Sequence, residues 1–358
     1  MNMKNTIKYL LLGGCILALC ACGQSRLDPT QGPDQTSELI TFGTSAVQTK
    51  GLIEGTDGLD NEKTLIKVFD YLTVGETTVT YIDDEIKGQN ADGSWGYVSN
   101  SDYHWTKTGT HKFFGYLLTD PDGESLPDNA VVMADNVLTV GPLTMAASNA
   151  EQVDFLYSDI KRYTMPERPD TPNKAVNLQM NHLFTALSVE VANKTGDDLT
   201  DFSVNFLGFE NGLTATVSYG GDSVGEPQYA GGSTTNPFPF GNKTSIDADE
   251  TEFTSLYDTD PYRLLWRQTI TGDTKVQVSY KIAVTGVEGV TSITNTVTAD
   301  LKDVFAISTT EGEKMEEGHK YLLKITVNPS EVRFVVLVDP LVEHYYDGDN
   351  YADYLIKF

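Results

Sequence analysis

From Glu38 onward the chain alternates apolar and polar residues with period two and shows almost no helical periodicity. Residues 64–73 (TLIKVFDYLT) set Leu65, Lys67, Phe69 and Tyr71 on one side and Ile66, Val68, Asp70 and Leu72 on the other. Residues 39–42, 112–118, 136–143 and 152–157 show similar patterns. These runs are rich in β-branched and aromatic side chains and are bounded by Gly, Pro and Asp, the composition of strands closed by turns. The proline-rich segment 165–172 (MPERPDTP) interrupts the pattern, because proline removes backbone donors and restricts the residue before it. Further strands are expected at 183–192, 201–207, 275–285, 292–301, 319–327 and 331–338, with residues 219–243 as a long Gly/Ser/Thr/Pro loop. No repeat of fixed period is present, which argues against a solenoid or propeller. The reading is an all-β protein of two tandem β-sandwiches, residues 51–172 and 173–358, divided at the prolines.

The first residues follow another pattern. Lys4 and Lys8 precede an apolar run from Tyr9 to Leu19 that ends in Cys20-Ala21-Cys22-Gly23. The run is shorter than the roughly 20 residues needed to span a bilayer. It reads as a secretory leader, residues 1–21, with Cys22 as the lipidated residue of a bacterial lipoprotein. Cys20 fits less well, since bulky Leu19 would occupy its cleavage position. Residues 23–37 (GQSRLDPTQGPDQTS) are polar and rich in Gly, Pro and Gln, as in a tether.

Composition narrows the function. Cys15, Cys20 and Cys22 all lie in or at the end of the leader, so the remaining chain has no disulfide, thiolate metal site or cysteine nucleophile. The 51 acidic and 25 basic residues give a formal charge of -26, which disfavours nucleic acid and anionic lipid headgroups and favours solubility. His104, His111, His182, His319 and His344 are scattered without H-E-x-x-H spacing, and no nucleophile elbow, P-loop or dinucleotide fingerprint occurs. His182, at a strand start, is expected to be a hydrogen-bonded structural imidazole. The acidic run Asp347-Gly348-Asp349-Asn350 lacks the glycine and bidentate glutamate spacing of an EF-hand and reads as a solvated turn. Enzymatic activity, a metal and a cofactor are therefore not expected. Trp95, Tyr97, Tyr103 and Trp105 offer aromatic faces that could stack on sugars, making a surface glycan-binding lipoprotein the alternative reading. Cross-strand aromatic packing accounts for the same spacing without a ligand.

Two basic residues, Arg26 and Lys50, bracket the first candidate strand. A trypsin-like cut after Lys50 would detach lipid and strand together, treating residues 22–50 as tether and removable strand. An edge strand so removed leaves unpaired backbone and an apolar groove. Several segments, in this order, resemble the fimbrillins, the lipoprotein pilins of anaerobic Gram-negative gut and oral bacteria. They are the cysteine-ended leader, residues 39–42 (LITF), 64–71 (TLIKVFDY), 153–157 (VDFLY), 181–191 (NHLFTALSVEV) and 317–327 (EGHKYLLKITV). The likeness spans essentially the whole chain.

That resemblance implies two transthyretin-like sandwiches, export to the extracellular side of the outer membrane as a lipoprotein, proteolytic maturation, and polymerisation by strand exchange in a fimbrium. It implies other fimbrial subunits as partners, this chain's own copies or tip, shaft and anchor pilins, and a role in adhesion and biofilm formation. The best-studied members of that family are cut after arginine, whereas the residue best placed beyond the first strand here is Lys50. Residues 331–338 could be the donor strand, with Val332, Phe334, Val336 and Val338 filling pockets, or instead the final strand of the second sandwich, with the apolar end 354–358 as a small donor or a docked edge. A cleavable Lys50 favours a shaft or tip subunit over a lipid-retaining anchor. Asp222-Ser223-Val224 resembles the O-glycosylation acceptor of such bacteria.

Overall fold

The computed structural model describes residues 34–46, 63–87, 95–120, 123–127, 129–145, 152–170, 174–257, 262–284, 291–306, 314–340 and 354–357. Among them every regular element is a β-strand except the six-residue helix Leu301–Ala306 and single turns. The protein is all-β, as the period-two pattern predicts.

An eight-stranded sheet organises the N-terminal part, running Phe42–Ala46, Val176–His182, Leu156–Ser158, Thr110–Thr119, Leu65–Val74, Thr77–Lys87, Gly96–Tyr97, with Lys161–Thr164 also on Thr110–Thr119. Leu65–Val74 and Thr77–Lys87 form a hairpin through Gly75, whose φ of 63° suits a tight turn. The central strands LIKVFDYLTV and THKFFGYLLT are apolar in both registers because both faces of this sheet are covered. Ile66, Val68, Leu72, Phe113 and Leu117 face one core, and Phe69, Tyr71, Phe114 and Tyr116 face another. Gly115 allows the two strands to approach closely, since a Cβ there would lie 2.5 Å from the carbonyl of Lys67.

The two faces have different covers. On the first lie the short ladder of Gln35–Leu39 with His104–Thr106 and the aromatic side chains of residues 95–105. On the second lies a four-stranded sheet ordered Gln228–Thr235, Phe209–Ser218, Val137–Leu143, Val131–Ala134. A second sandwich packs the six-stranded sheet built on Thr185–Asn193, His319–Asn328 and Glu331–Pro340 against the sheet Phe238–Ile246, Leu199–Leu207, Lys275–Ala283, Ser292–Asp300. Thr185–Asn193 joins the cores, with Ala186 in the core it shares with the first sheet and Leu187 in the second sandwich.

Two expectations change. The proline run does not separate the sheets: Val176–His182, which follows it, pairs with Leu156–Ser158 and with Phe42–Ala46 in the first sheet. The four-stranded cover takes two strands from before the prolines and two from after them. Residues 219–243 contain the strand Gln228–Thr235 and the start of Phe238–Ile246 instead of one long loop. Gln228–Thr235 is a largely exposed edge held by backbone pairing to Phe209–Ser218, so it needs no apolar alternation and leaves none in the sequence.

Candidate functional site at the seat of the N-terminal strand

The segment QTSELITFGTSA makes one strand that changes sheets midway. Gln35–Leu39 runs antiparallel to His104–Thr106, and Phe42–Ala46 runs parallel to Val176–His182. At the crossing, the Ile40 amide donates to the Tyr103 carbonyl at 2.7 Å, and the Val176 amide donates to the Thr41 carbonyl at 2.8 Å. The Trp95 amide donates to the Phe42 carbonyl at 3.4 Å, and the Lys107 amide to the Asp34 carbonyl at 2.7 Å. Ile40 and Phe42 are 0% exposed. Phe42 meets the rings of Tyr97 and Phe113 edge-on, each at 5.9 Å. Burial of such side chains contributes roughly 1.5–3 kcal/mol each. An element close to the N-terminal end of the described chain thus plugs the core.

Aromatic residues form the wall of this seat. Trp95, Tyr103 and Trp105 are buried, and Tyr97 stacks obliquely on Tyr103 at 4.9 Å while its hydroxyl donates to the Ile40 carbonyl at 3.0 Å. Trp105 sits edge-on to His111 at 5.2 Å, Phe113 at 5.5 Å and Tyr163 at 5.7 Å. The glycan-ridge reading of Trp95, Tyr97, Tyr103 and Trp105 is therefore corrected: their faces are occupied by protein. Nor are they hairpin partners, since Gly96–Tyr97 pairs with Thr77–Lys87 and His104–Thr106 with Gln35–Leu39. Burial pushes the Tyr97 hydroxyl well above its ordinary range and that of Tyr81 up to about 12, both rises reinforced by Asp70.

A polar chain lies beneath the strand. Asp70 Oδ2 is 2.5 Å from His111 Nδ1, and His111 Nε2 is 2.9 Å from Thr106 Oγ1; all three residues are fully buried. Thr106 Oγ1 donates to the Thr108 carbonyl, and the Lys112 amide donates to Asp70 Oδ1. Burial raises the Asp70 carboxyl, while the His111 charge and hydrogen bond pull it back. The order carboxylate–imidazole–hydroxyl matches a nucleophilic triad, but its burial leaves no path for a substrate. It satisfies polar groups inside an aromatic core.

Charge gathers at the mouth. Glu38 lies 3.3 Å from Arg168 Nε and 3.2 Å from Lys174 Nζ. The Arg168 guanidinium packs over the Trp105 ring at 5.0 Å and donates to the carbonyls of Pro166 and Glu167. Hydrogen bonding and charge from Lys174, then Arg168, hold the Glu38 carboxyl below its ordinary value.

The remaining sequence-derived sites lie elsewhere. Cys22, Arg26, Lys50 and the acidic run 347–350 fall outside the described residues. Val332, Phe334 and Val336 are buried in the second core, and Val338 pairs with Tyr321 on the same strand. Glu331–Pro340 is held between His319–Asn328 and Tyr354–Lys357, which is the alternative in which it is a strand of the second sandwich itself. His182 is buried, its Nδ1 2.6 Å from Asp154 Oδ2, a structural pairing. Asp222 and Ser223 are exposed in a bend. Among the described residues no group of three His, Cys, Asp or Glu is placed to hold a metal ion. The sequence reading missed Glu38, Arg168 and Lys174. Asp70 did leave a trace, as a lone carboxylate on the apolar face of Ile66, Val68 and Leu72.

The chain matches the family described as fimbrillin-like over residues 55–340. A fimbrial protein from Bacteroides vulgatus is similar to it at 16% identity and a TM-score of 0.52, over 84% of this chain and 99% of that one. A candidate cell adhesion protein from Bacteroides uniformis is similar at 15% identity and a TM-score of 0.48, over 86% and 99%. The curated proteins hold no match.

Proposed function

The chain belongs to the fimbrillin-like family, and on that premise we propose that it is a cell-surface pilin matured by loss of its N-terminal strand and polymerised by strand exchange. The family makes it a fimbrial or adhesin subunit, a structural role in which the buried Asp70–His111–Thr106 chain needs no catalytic use. One observation carries the finer reading. Residues 34–46 sit near the N-terminal end of the sequence, yet Ile40 and Phe42 complete a core that the rest of the chain surrounds. Their removal would expose Trp95, Trp105, Phe113 and Val176 together with the unpaired Tyr103 carbonyl and the amides of Trp95, Lys107 and Val176, a ready acceptor for another strand.

In this scheme Cys22 carries the lipid that delivers the subunit to the outer membrane, and a cut after Lys50, with Arg26 as the other basic position, releases lipid and strand together. Glu331–Pro340 stays in its own core, so the donor is the C-terminal segment that contains Tyr354–Lys357. Among the described residues that element pairs with Glu331–Phe334 at the edge of its sheet. Main-chain ladder bonds provide the affinity, and side chains in the Ile40 and Phe42 sites fix the register. Shaft or tip is the assigned position.

N-terminal sequencing of the assembled, surface-exposed protein tests this reading. A start at Gly51 is the expected result. Assembled material that uniformly retains a lipidated Cys22 identifies an anchor and defeats the scheme.

A further inference from the structure

The clamp at the mouth of the seat bears on which strand can enter it. In a chain of net charge -26, Arg168 and Lys174 converge on one carboxylate of the N-terminal strand. Neither cation is carried by the strand they hold. Arg168 is also fixed independently of Glu38, through its stacking on Trp105 and its bonds to the carbonyls of Pro166 and Glu167. When Glu38 leaves, Arg168 stays at the entrance with its geometry largely set, and the exposed Lys174 ammonium remains beside it.

We propose that Arg168 and Lys174 form a cationic clamp that favours entry of a carboxylate-bearing strand into the seat, and so of the acidic C-terminal segment, residues 339–358, of a second copy, the segment already named above as the donor. The proposal rests on the strand-exchange reading above. Charge complementarity supports the choice of occupant: the segment DPLVEHYYDGDNYADYLIKF carries Asp339, Glu343, Asp347, Asp349 and Asp353 against Lys357. Topology supports the second copy, because a chain's own Tyr354–Lys357 lies on the six-stranded sheet whereas the seat belongs to the eight-stranded one. Charges at the rim of an interface act mainly on the rate and salt dependence of association, while the buried pocket fillers set its lifetime.

The test uses the full-length chain with a site-specific protease sequence replacing residues 47–50, cut once, with a fluorophore on the released N-terminal segment. Displacement is followed on adding a synthetic peptide of residues 339–358, or the same peptide with its Asp and Glu residues changed to Asn and Gln. The acidic peptide is expected to displace the segment about fivefold faster at low salt, and the advantage is expected to vanish at high salt. Lys174→Gln, at an exposed side chain that leaves folding intact, is expected to reduce that advantage, and Arg168→Gln with Lys174→Gln to abolish it. Equal rates for the two peptides on the unmodified protein overturn the clamp and leave strand exchange standing. Failure of both peptides to displace the segment overturns strand exchange, and the clamp's proposed role falls with it. An acidic advantage that persists unchanged in the double variant assigns the selectivity to other residues and also overturns the clamp.

Discussion

Single side chains decide how firmly the N-terminal strand is held. Phe42 fills the space between Tyr97 and Phe113, and truncating a buried phenylalanine costs about 3–5 kcal/mol. Phe42→Ala is expected to lower the denaturation midpoint and to make residues 34–46 accessible to protease in otherwise folded protein. A denaturant titration reads the first effect, and limited proteolysis followed by mass spectrometry the second. Glu38 acts at the surface through charge. Its folded value lies below the ordinary glutamate value of 4.5, so its contribution is present above that pH and is lost as the pH falls through the lowered folded value. Release of a nicked N-terminal segment is therefore expected to accelerate as the pH drops below 4.5, and Glu38→Gln is expected to flatten that part of the profile. A wild-type profile already flat there would show that the bridge to Arg168 and Lys174 does not hold the strand.

At the level of elements, position within a sheet separates strands that can be lent from strands that cannot. Glu331–Pro340 pairs along its whole length with His319–Asn328 and buries Val332, Phe334 and Val336. At roughly 1.5–3 kcal/mol per side chain, those three match a large part of the stability of an ordinary domain. A chain ended after Pro340 is expected to keep its far-ultraviolet circular dichroism and melt cooperatively, whereas a chain ended after Asn328 is expected not to fold. Should the longer truncation fold as well, the strand would be dispensable after all. Period-two alternation predicted Glu331–Pro340 closely, because residues 331–337 bury alternate side chains, and β-branched and aromatic content located Leu65–Val74, which is buried on both faces. It missed Gln228–Thr235, whose ordering comes from backbone pairing along an exposed edge.

For the whole molecule, the two sandwiches share structure and are expected to unfold together. Trp266 Nε1 donates to the carbonyl of Leu143 at 2.7 Å, and its ring lies edge-on to Phe184 at 4.9 Å, so residues far apart in sequence meet in one core. Calorimetry is expected to give one transition. Trp266→Ala, costing about 3–5 kcal/mol, is expected to split or broaden it. Two resolved transitions in the unmodified protein would contradict this coupling.

The sequence by itself determined the local character of the chain. Alternation specifies strands, and polar turn residues end them. Those properties depend on neighbours within a few positions. Tertiary structure alone decided which strands share a sheet: a sheet assembled from both sides of the prolines, an N-terminal strand closing the first core, and Trp95 and Trp105 turned inward as its wall. It also decided that Glu38, Arg168 and Lys174 would meet, across 130 and 136 residues of chain. Pairing between distant segments is a matter of complementary faces and backbone ladders, and neither is written in the spacing of residues along one strand.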